Sequence, residues 1–391
     1  MEEAWFLRPP LKVTSQLNYK ALLKDASISV QRVASHADVA RRDLLKSLSS
    51  DPTKMTPDAA GIVRNLESYT AIVNGALEHS NTTFQQSVVS IWSDTLYTSK
   101  VRTERKDAAF DLGNIFVNCA LWYAKRAGYI IAPSVCVSET IKEQNSKESY
   151  QLLRSAAGLL GYVSQTIVPK LKQIPDPMSD LDNVVLQQYQ TQFLAEAQEL
   201  ALFRCLHQKY SFEVTGPLAA ATGEKFMELE HGISPKNGPK NMNDDTVKYW
   251  QRYGLVKHNL WMAVARCCQA EMLLANNQAG EAIRCVEEAK NHAKVFSDTA
   301  AKSRKDLGGV PDYAFHLVTK WVEKTGGKVE RENTLLHHQR AAPEVPAALG
   351  NPKFGIAEST PFSAPANHDL WNDVLPGTAA EKDSGSSCSL M

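Results

Sequence analysis

Apolar residues recur every three or four positions along most of the chain, from about residue 19 to residue 323. Residues with this spacing share one face of an α-helix, so the pattern is typical of consecutive amphipathic helices. The alternation expected of a half-buried strand is scarce, and its best example is FQQSVVSIWSDTLY over residues 84–97. We therefore predict an all-α protein with a minor β hairpin or an extended segment at that stretch.

The helical period is clearest between residues 243 and 302. Its two apolar faces consist of Tyr253, Val256, Leu260, Val264 and Cys267, and of Ala282, Val286, Ala289, Ala293 and Phe296. The turn residues 276–280 separate the faces, which predicts two helices. Small alanines let such helices approach closely, as in a tetratricopeptide-type hairpin. One hairpin cannot bury its own face, so we expect it to stack on neighbouring helices.

Two stretches rich in glycine and proline interrupt this pattern. HGISPKNGPKNMND, over residues 231–244, predicts an exposed loop between helical blocks. From residue 341 onward, six of the 18 prolines exclude a long helix. Phe354, Phe362 and Trp371 nevertheless argue against a fully solvated chain there. We predict a helical domain over residues 1–376, with an extended segment from about residue 341, and a flexible tail over residues 377–391.

The charge balance narrows the class of partner. The chain has 43 Lys+Arg against 43 Asp+Glu, and nucleic-acid binders usually carry a clustered basic surplus, so no nucleic-acid partner is expected. The beginning, MEEAWFLRPPL, lacks the cationic and apolar regions of a secretory signal. The longest apolar stretch, YIIAPSVCV over residues 129–137, is shorter than the ~20 residues that span a bilayer. We expect a soluble protein.

No catalytic signature stands out. Phosphate-binding, dinucleotide-binding, zinc-protease, serine-hydrolase and calcium-loop motifs are all missing. His337 and His338 are adjacent and would point about 100° apart on a helix, which favours a surface pair over a metal site. Six of the seven cysteines are expected to be reduced core residues: Cys119, Cys136, Cys205, Cys267, Cys268 and Cys285. We therefore expect no enzyme, no catalytic residue, no metal site and no cofactor.

The seventh cysteine differs, because it stands fourth from the end of the sequence. Cys388 is followed by a small, an aliphatic and a Met residue, which fits the C-a-a-X signal, and the final Met favours farnesyl. The polar stretch GTAAEKDSGSS, over residues 377–387, would let a protein prenyltransferase reach it. We predict that Cys388 becomes an S-farnesyl cysteine methyl ester after removal of Ser389, Leu390 and Met391. A chance terminal cysteine is the alternative.

A single lipid limits what this modification can do. One acyl chain gives only marginal membrane binding, and stable anchoring requires a second signal. The last fifteen residues contain one cation, Lys382, between Glu381 and Asp383, and no second cysteine. We therefore expect weak, reversible association with a membrane unless a membrane-bound partner strengthens it.

Seven short blocks follow one another in a distinctive order. They are Trp5-Phe6 with Arg8-Pro9-Pro10-Leu11-Lys12, Trp92-Ser93-Asp94-Thr95-Leu96, Asp107-Ala108-Ala109-Phe110, Ala120-Leu121-Trp122-Tyr123, Ala195-Glu196-Ala197-Gln198-Glu199, Arg331-Glu332-Asn333, and Phe354-Gly355 with Pro361-Phe362 and Trp371. Their order over nearly the whole chain, ending in C-a-a-X, resembles the Bro-domain family of ESCRT adaptors, and within it a farnesylated single-domain member.

The resemblance implies a curved, banana-shaped helical solenoid with tetratricopeptide-like hairpins. It also implies a non-enzymatic adaptor in membrane remodelling, repair or trafficking. A hydrophobic patch on its concave face would bind the C-terminal helix of charged multivesicular body proteins, which are subunits of ESCRT-III, by helix-in-groove recognition. The implied location is cytosolic and peripheral to a membrane through the lipid, with the endosome and the nuclear envelope as candidates.

The family's patch can be carried over along the AEAQE block without gaps. Its three apolar positions then fall on Ala201, Val214 and Leu218, and a basic position beside the patch falls on Lys147. Val214 and Leu218 are four residues apart and would share a helix face. Ala201 is small, so this corner of the groove would be shallow.

Gly216-Pro217 complicates the carry-over. Because proline is best accommodated at the first position of a helix, a local gap would move the apolar pair to Leu218 and Thr222. Leu218 belongs to the patch in either alignment. Ordinary core packing is the alternative role for each of these residues.

Two other functions stay open. A prenylated helical scaffold could bind an unrelated peptide, because a fold does not determine a function. An enzyme of membrane traffic is a third hypothesis, for which the sequence shows no phosphatase or nucleotide-binding signature. Binding of ESCRT-III tail helices separates the first hypothesis from the second.

Overall fold

The computed structural model describes residues 5–53, 59–78, 82–132, 139–233, 238–302 and 310–374. The helices within these ranges are α1 (Tyr19–Leu22), α2 (Ile28–Leu48), α3 (Ala59–Glu78), α4 (Thr82–Ser87), α5 (Ala108–Ile130), α6 (Glu139–Tyr162), α7 (Asn183–His207), α8 (Phe212–Gly232), α9 (Asp244–Ala275), α10 (Ala279–Lys302) and α11 (Asp312–Glu332). The strands are β1 (Val89–Trp92) and β2 (Thr103–Lys106).

The longer helices form an elongated array. From α5 to α11 each helix packs against the next one along the chain, and α11 also contacts α9. Most buried apolar side chains belong to one cluster that extends through this array. The predicted all-α class is confirmed. Over the described part of the chain, no helix combines the length and the apolar character needed to cross a bilayer.

The predicted helical hairpin over residues 243–302 is confirmed as α9 and α10. All five residues of the predicted α9 face are buried, and Ala282, Ala289 and Phe296 are buried on α10. Asn243 starts α9 because its side chain accepts hydrogen bonds from backbone N–H groups in the first turn. Asn277 follows α9 with a φ of +61°, a left-handed conformation that asparagine tolerates better than most residues.

The predicted minor β hairpin is confirmed, but only its first strand lies within residues 84–97. β1 lies within the stretch, but it pairs antiparallel with β2 beyond it, with Val89 opposite Lys106. Phe84 is instead in α4, at the beginning of the stretch. Phe84 and Val88 are both fully buried, but Gln86 between them is exposed. A strand would place all three on one face, whereas a helical turn brings only positions 84 and 88 together.

A buried ion pair joins α2 to α5. Two guanidinium nitrogens of Arg41 donate to the carboxylate of Asp111, each at 2.9 Å. The same carboxylate accepts hydrogen bonds from Tyr69 at 2.6 Å and from the Trp92 indole at 2.8 Å. Burial alone would raise the pKa of Asp111, but the charge of Arg41 and these hydrogen bonds together lower it. Trp92 of the WSDTL block is thus a structural residue.

A second buried cluster fixes the beginning of the described chain to α7 and α9. Arg8 donates to Glu196 at 2.7 Å, and Lys257 donates to Glu199 at 2.7 Å. The Lys257 ammonium also lies 4.5 Å from the centre of the Trp5 ring, within the range of a cation–π contact. The two glutamates of the AEAQE block are therefore part of the core.

Beyond α11 the chain runs back along the helices in an extended conformation. We call residues 338–374 the C-terminal segment. It contacts α10 where Ala342 N–H donates to Gly280, α6 where Thr360 N–H donates to Arg154, and α3 where His368 N–H donates to Ala71.

Aromatic side chains and glycines hold this segment in place. Trp371 is buried, and its indole donates to the Ile72 carbonyl at 2.8 Å. A Cβ on Gly75 would lie 2.1 Å from Trp371 Cδ1, and a Cβ on Gly158 would lie 1.7 Å from the Thr360 carbonyl oxygen. The segment can pass this close only because these helix positions lack a side chain.

Candidate partner-binding surface

The residues carried over from the family lie on three successive helices. Lys147 is on α6, Ala201 is on α7, and Val214 and Leu218 are on α8. The helices α6 and α7 pack against each other, as do α7 and α8. The carried-over residues thus lie on helices that are neighbours in the fold, and their sharing of one binding face stays a prediction. We call this face the α6–α8 surface.

The expectation that Pro217 starts a helix is wrong. α8 starts at Phe212 and continues through Pro217. Pro217 has no N–H to donate to the carbonyl of Glu213, but Glu213 is exposed and its carbonyl belongs to the first turn. Val214, Leu218 and Thr222 therefore share one continuous helix, and the reason for placing a gap before Pro217 is removed.

Leu218, the expected centre of the patch, does not reach solvent. Its side chain is fully buried, and Gly355 of the C-terminal segment lies directly over it. A Cβ on Gly355 would be 2.8 Å from Leu218 Cδ2, and Gly355 has a φ of +84° that suits glycine. Thr222, the other alternative, is buried as well and accepts a hydrogen bond from Gln198. A direct contact through Leu218 would require the segment to move.

Ala201 and Val214 remain partly exposed on this surface. The C-terminal segment adds two apolar side chains that the sequence comparison missed. Phe354 is 69% exposed and Ile356 is 48% exposed, on either side of Gly355. The sequence contained a signal for this exposure. In an extended segment, Phe354 and Ile356 point to the side opposite the one that Gly355 faces. Phe354 was one of three aromatic residues expected to argue against a fully solvated chain, and its own side chain is largely exposed.

Charged side chains border the surface on α6 and α7. Lys147 and Glu143 form an exposed ion pair at 2.8 Å. The hydrogen bond from Lys147, followed by the charges of Lys147 and Arg204, lowers the pKa of Glu143. Charged side chains of α6 and α7 thus influence one another beside the surface.

The described residues contain no cluster of three or more His, Cys, Asp or Glu side chains that could hold a metal ion. Five of the predicted core cysteines are buried with free thiols: Cys119, Cys205, Cys267, Cys268 and Cys285. Burial raises the pKa of Cys267 to about 12, so this thiol stays protonated and unreactive at neutral pH. Cys136 and Cys388 lie outside the described residues. What the α6–α8 surface offers is apolar contact bordered by charge, which suits binding.

Comparison with protein families identifies the chain. The model of the BRO1-like domain matches residues 6–387. The chain belongs to the BRO1-like domain family. This membership confirms the family named from the seven sequence blocks, and it spans the α6–α8 surface and the C-terminal segment alike.

BRO1-like relatives of similar length are found in several animals. The BRO1 domain-containing protein BROX of Danio rerio is 27% identical over 375 residues, which cover 92% of this chain and 87% of the relative. BROX of Homo sapiens is 27% identical over 396 residues, which cover 97% of this chain and 90% of the relative. The resemblance to a single-domain member of the family is consistent with these matches.

Solved BRO1 structures share the fold. The ALIX BRO1 domain in its complex with CHMP4C gives a TM-score of 0.69 at 16% identity, covering 95% of this chain and 100% of that one. ALIX in complex with a viral late-domain peptide gives a TM-score of 0.70 at 16% identity. This chain spans only about half of that longer ALIX chain, 52%.

Proposed function

We propose that this protein is a non-enzymatic adaptor that binds the C-terminal helix of charged multivesicular body proteins of ESCRT-III. One observation carries the proposal: a BRO1-like domain occupies residues 6–387, and its fold matches that of the ALIX domain solved with CHMP4C. The missing catalytic motifs and the apolar character of the α6–α8 surface support a role in binding.

The contact would use the α6–α8 surface. Val214 stands one helical turn before the buried Leu218, and Phe354 and Ile356 of the C-terminal segment flank the glycine that covers Leu218. An amphipathic helix could place its apolar side against Val214, Ala201 and these two side chains. Lys147 at the border would favour acidic groups on the partner.

Val214 gives a sharper test than Leu218. An aspartate at the fully buried Leu218 would place an unpaired charge in the core and unfold the region, whereas Val214 is partly exposed. We expect Val214→Asp to weaken binding of a labelled ESCRT-III tail peptide at least about tenfold in fluorescence anisotropy, because a charge replaces an apolar anchor.

Val295→Asp is the matched control, because Val295 is a 42% exposed valine on α10. It should bind the tail peptide like the wild type. If Val214→Asp keeps its circular dichroism and thermal transition and still binds as tightly as the wild type, the surface assignment is wrong. If no ESCRT-III tail binds the wild type while an unrelated peptide does, the alternative of a helical scaffold with another ligand is correct.

We also propose that Cys388 is farnesylated by a protein prenyltransferase and then trimmed and methylated. The support is the C-a-a-X pattern of the last four residues together with the polar stretch before them. The lipid would add a weak attraction to a membrane, and the bound ESCRT-III subunit would add a second one. Two weak contacts on one chain strengthen each other through effective concentration, which would give peripheral attachment at endosomes or the nuclear envelope.

Labelling cells with a farnesyl analogue tests the modification. The wild type should incorporate it, and Cys388→Ser should not and should leave the membrane fraction. Val214→Asp should keep the label but lose part of its membrane fraction. An unlabelled wild type would refute the farnesylation proposal and leave the peptide-binding result unaffected.

A further inference from the structure

A groove lies between the turn that joins α7 to α8 and the exposed side of α11. It encloses about 860 Å³, a size typical of ligand pockets. Lys147, Ala201 and Val214 do not line it, so it is separate from the α6–α8 surface. We call it the α8–α11 groove.

The apolar part of the groove is aromatic. Phe212 of α8 and Trp321 of α11 meet edge to face, with ring centres 6.4 Å apart. Leu317 lies one turn before Trp321 on α11, and Tyr210 in the turn is 50% exposed. None of these four side chains is fully buried in the fold.

The aromatic stripe of Phe212, Leu317 and Trp321 is only partly buried against the core, so it does not form the main attachment face of α11. The buried side chains of α11 include Val318, Val322 and Val329, and they form a separate face. Leu317 and Trp321 therefore extend the apolar part of α11 around towards solvent. Partly exposed aromatic and aliphatic side chains that line a groove are typical of binding sites.

The charges beside the stripe are mainly positive. Lys320 and Lys324 stand one turn apart on α11, and Lys209 lies on the other side of the groove, in the α7–α8 turn. Over the described residues none of these three lysines has an ion-pair partner. Two like charges at positions i and i+4 of a helix cost a few tenths of a kcal/mol, so folding does not favour this arrangement.

The acidic residues of the groove do not cancel this charge. Glu271 is buried at its base and already forms an ion pair with Lys328 at 2.6 Å. Glu213, at the exposed start of α8, is the other carboxylate among the lining residues. Glu323, between the two groove lysines of α11, is a further exposed carboxylate beside the groove. Three unpaired lysines against two free carboxylates leave a local surplus of one positive charge, on a chain whose formal net charge is zero.

We propose that the α8–α11 groove binds an acidic amphipathic helix of a partner protein. The apolar side of such a helix would cover Trp321, Leu317 and Phe212, and its carboxylates would pair with Lys320 and Lys324. The lining residues of α11 run from Tyr313 to Thr325, which is about 18 Å of helix axis. The groove is therefore matched to about three turns of a partner helix, with anchors at i, i+4 and i+7. This site goes beyond the proposed function and does not depend on it.

A synthetic peptide pair tests the proposal on the full chain. One peptide is a fluorescein-labelled 14-residue helix with leucines at positions 1, 4, 5, 8 and 11 and glutamates on the opposite face. The other has lysines in place of the glutamates. We expect the acidic peptide to bind the wild type in fluorescence anisotropy and the basic peptide to bind at least about tenfold more weakly, because of the charge complementarity.

The double variant Lys320→Glu/Lys324→Glu should bind the acidic peptide at least about tenfold more weakly than the wild type does. It should bind the basic peptide more tightly. Both lysines are exposed, so the variant should keep the wild-type thermal transition. The matched control, Lys290→Glu/Lys294→Glu, carries the same reversal on α10 and should bind the acidic peptide like the wild type.

The proposal is overturned if the acidic peptide does not bind at millimolar concentration, or if it binds the double variant as tightly as the wild type. A loss of binding in Val214→Asp alone would assign the peptide to the α6–α8 surface instead.

Two further results would assign the groove to another occupant. Tighter peptide binding by a chain that ends at residue 374 would assign it to the chain's own last residues. Self-association that the double variant abolishes would assign it to a second copy.

Discussion

The helical body and the C-terminal segment are stabilised in different ways. Within the body, backbone groups pair inside each helix, and charges such as Arg41 and Asp111 are buried in pairs. The C-terminal segment has no regular pattern of backbone hydrogen bonds of its own. The body instead forms hydrogen bonds with the segment's backbone at separate points, such as the bond from the Gln269 amide to the Ala347 carbonyl at 2.7 Å. The body should therefore unfold as a unit, whereas the segment can detach locally.

This difference bears on function because the segment crosses the proposed binding surface. Gly355 seals Leu218, while Phe354 and Ile356 face solvent beside it. Because the segment is attached only at separate points, it can move at this surface without unfolding the helices. The following predictions test the contrast, beginning with the body.

The largest effect is expected for Asp111→Asn. The substitution keeps the volume of the side chain but leaves the buried Arg41 without its counter-charge. Breaking a buried pair in this way costs about 3–5 kcal/mol. Urea unfolding measures this loss as a lower midpoint with the same slope. Asp298→Asn, on the exposed side of α10, should change the free energy of unfolding by less than about 0.5 kcal/mol.

The same pair predicts a pH dependence. The pKa of Asp111 is lowered in the folded chain, relative to about 3.9 in the unfolded chain. Its contribution to stability is therefore complete above about pH 4 and is lost as the pH falls through the folded-state pKa. The difference in unfolding free energy between the wild type and Asp111→Asn should be constant from pH 7 to pH 5 and should shrink below pH 4. A constant difference at all pH values would contradict this assignment.

Trp371→Ala should release the C-terminal segment while the body stays folded. Removing a buried tryptophan costs about 3–5 kcal/mol, and here the loss includes the hydrogen bond to Ile72. Hydrogen exchange should show faster exchange in residues 357–374 and unchanged protection in α5 and α9. Phe354→Ala, at an exposed aromatic residue of the same segment, should leave exchange unchanged. Equal loss of protection in body and segment would show that the two are one cooperative unit.

The smallest effect compares two glycines three positions apart on α6. Replacing an interior helix glycine by alanine normally stabilises a helix by about 0.5–1 kcal/mol. A Cβ on Gly161 would lie 3.7 Å from Gln190, an ordinary contact, whereas a Cβ on Gly158 would collide with the Thr360 carbonyl. Gly161→Ala should therefore raise the melting temperature slightly, and Gly158→Ala should displace the segment.

Limited proteolysis of the segment separates the two glycine variants. Cleavage around residue 360 should be faster in Gly158→Ala than in the wild type and unchanged in Gly161→Ala. Equal cleavage of both would mean that the close approach at Thr360 does not hold the segment.

Much of the fold could be predicted because its signals are local. The faces of α9 and α10 follow from side chains three and four positions apart, and Asn243 caps its own helix. Pro217 misled the prediction, because the cost of one missing hydrogen bond in α8 depends on whether the freed carbonyl reaches water. That depends on the exposure of the first turn, which no local pattern specifies.

The site was harder to predict than the fold. Val214 and Ala201 were placed on neighbouring helices, and both are partly exposed as a binding role requires. Leu218 was expected in the exposed patch and is covered by the C-terminal segment, whereas Phe354 of that segment is exposed. Both outcomes depend on where that segment runs, and the segment has no periodic pattern that could reveal its path.

The sequence by itself determined that the chain forms amphipathic helices, that it belongs with BRO1-like domains, and that its last four residues fit the C-a-a-X pattern. These properties depend on spacing and on order along the chain. Only the tertiary structure decided which apolar side chains meet solvent and that the α8–α11 groove exists. Residues 210–212 and 317–324 are about a hundred positions apart, and they meet only because α11 packs on α9 beside the start of α8. Such long-range contacts depend on how the helices pack, which the residues of either stretch do not determine alone.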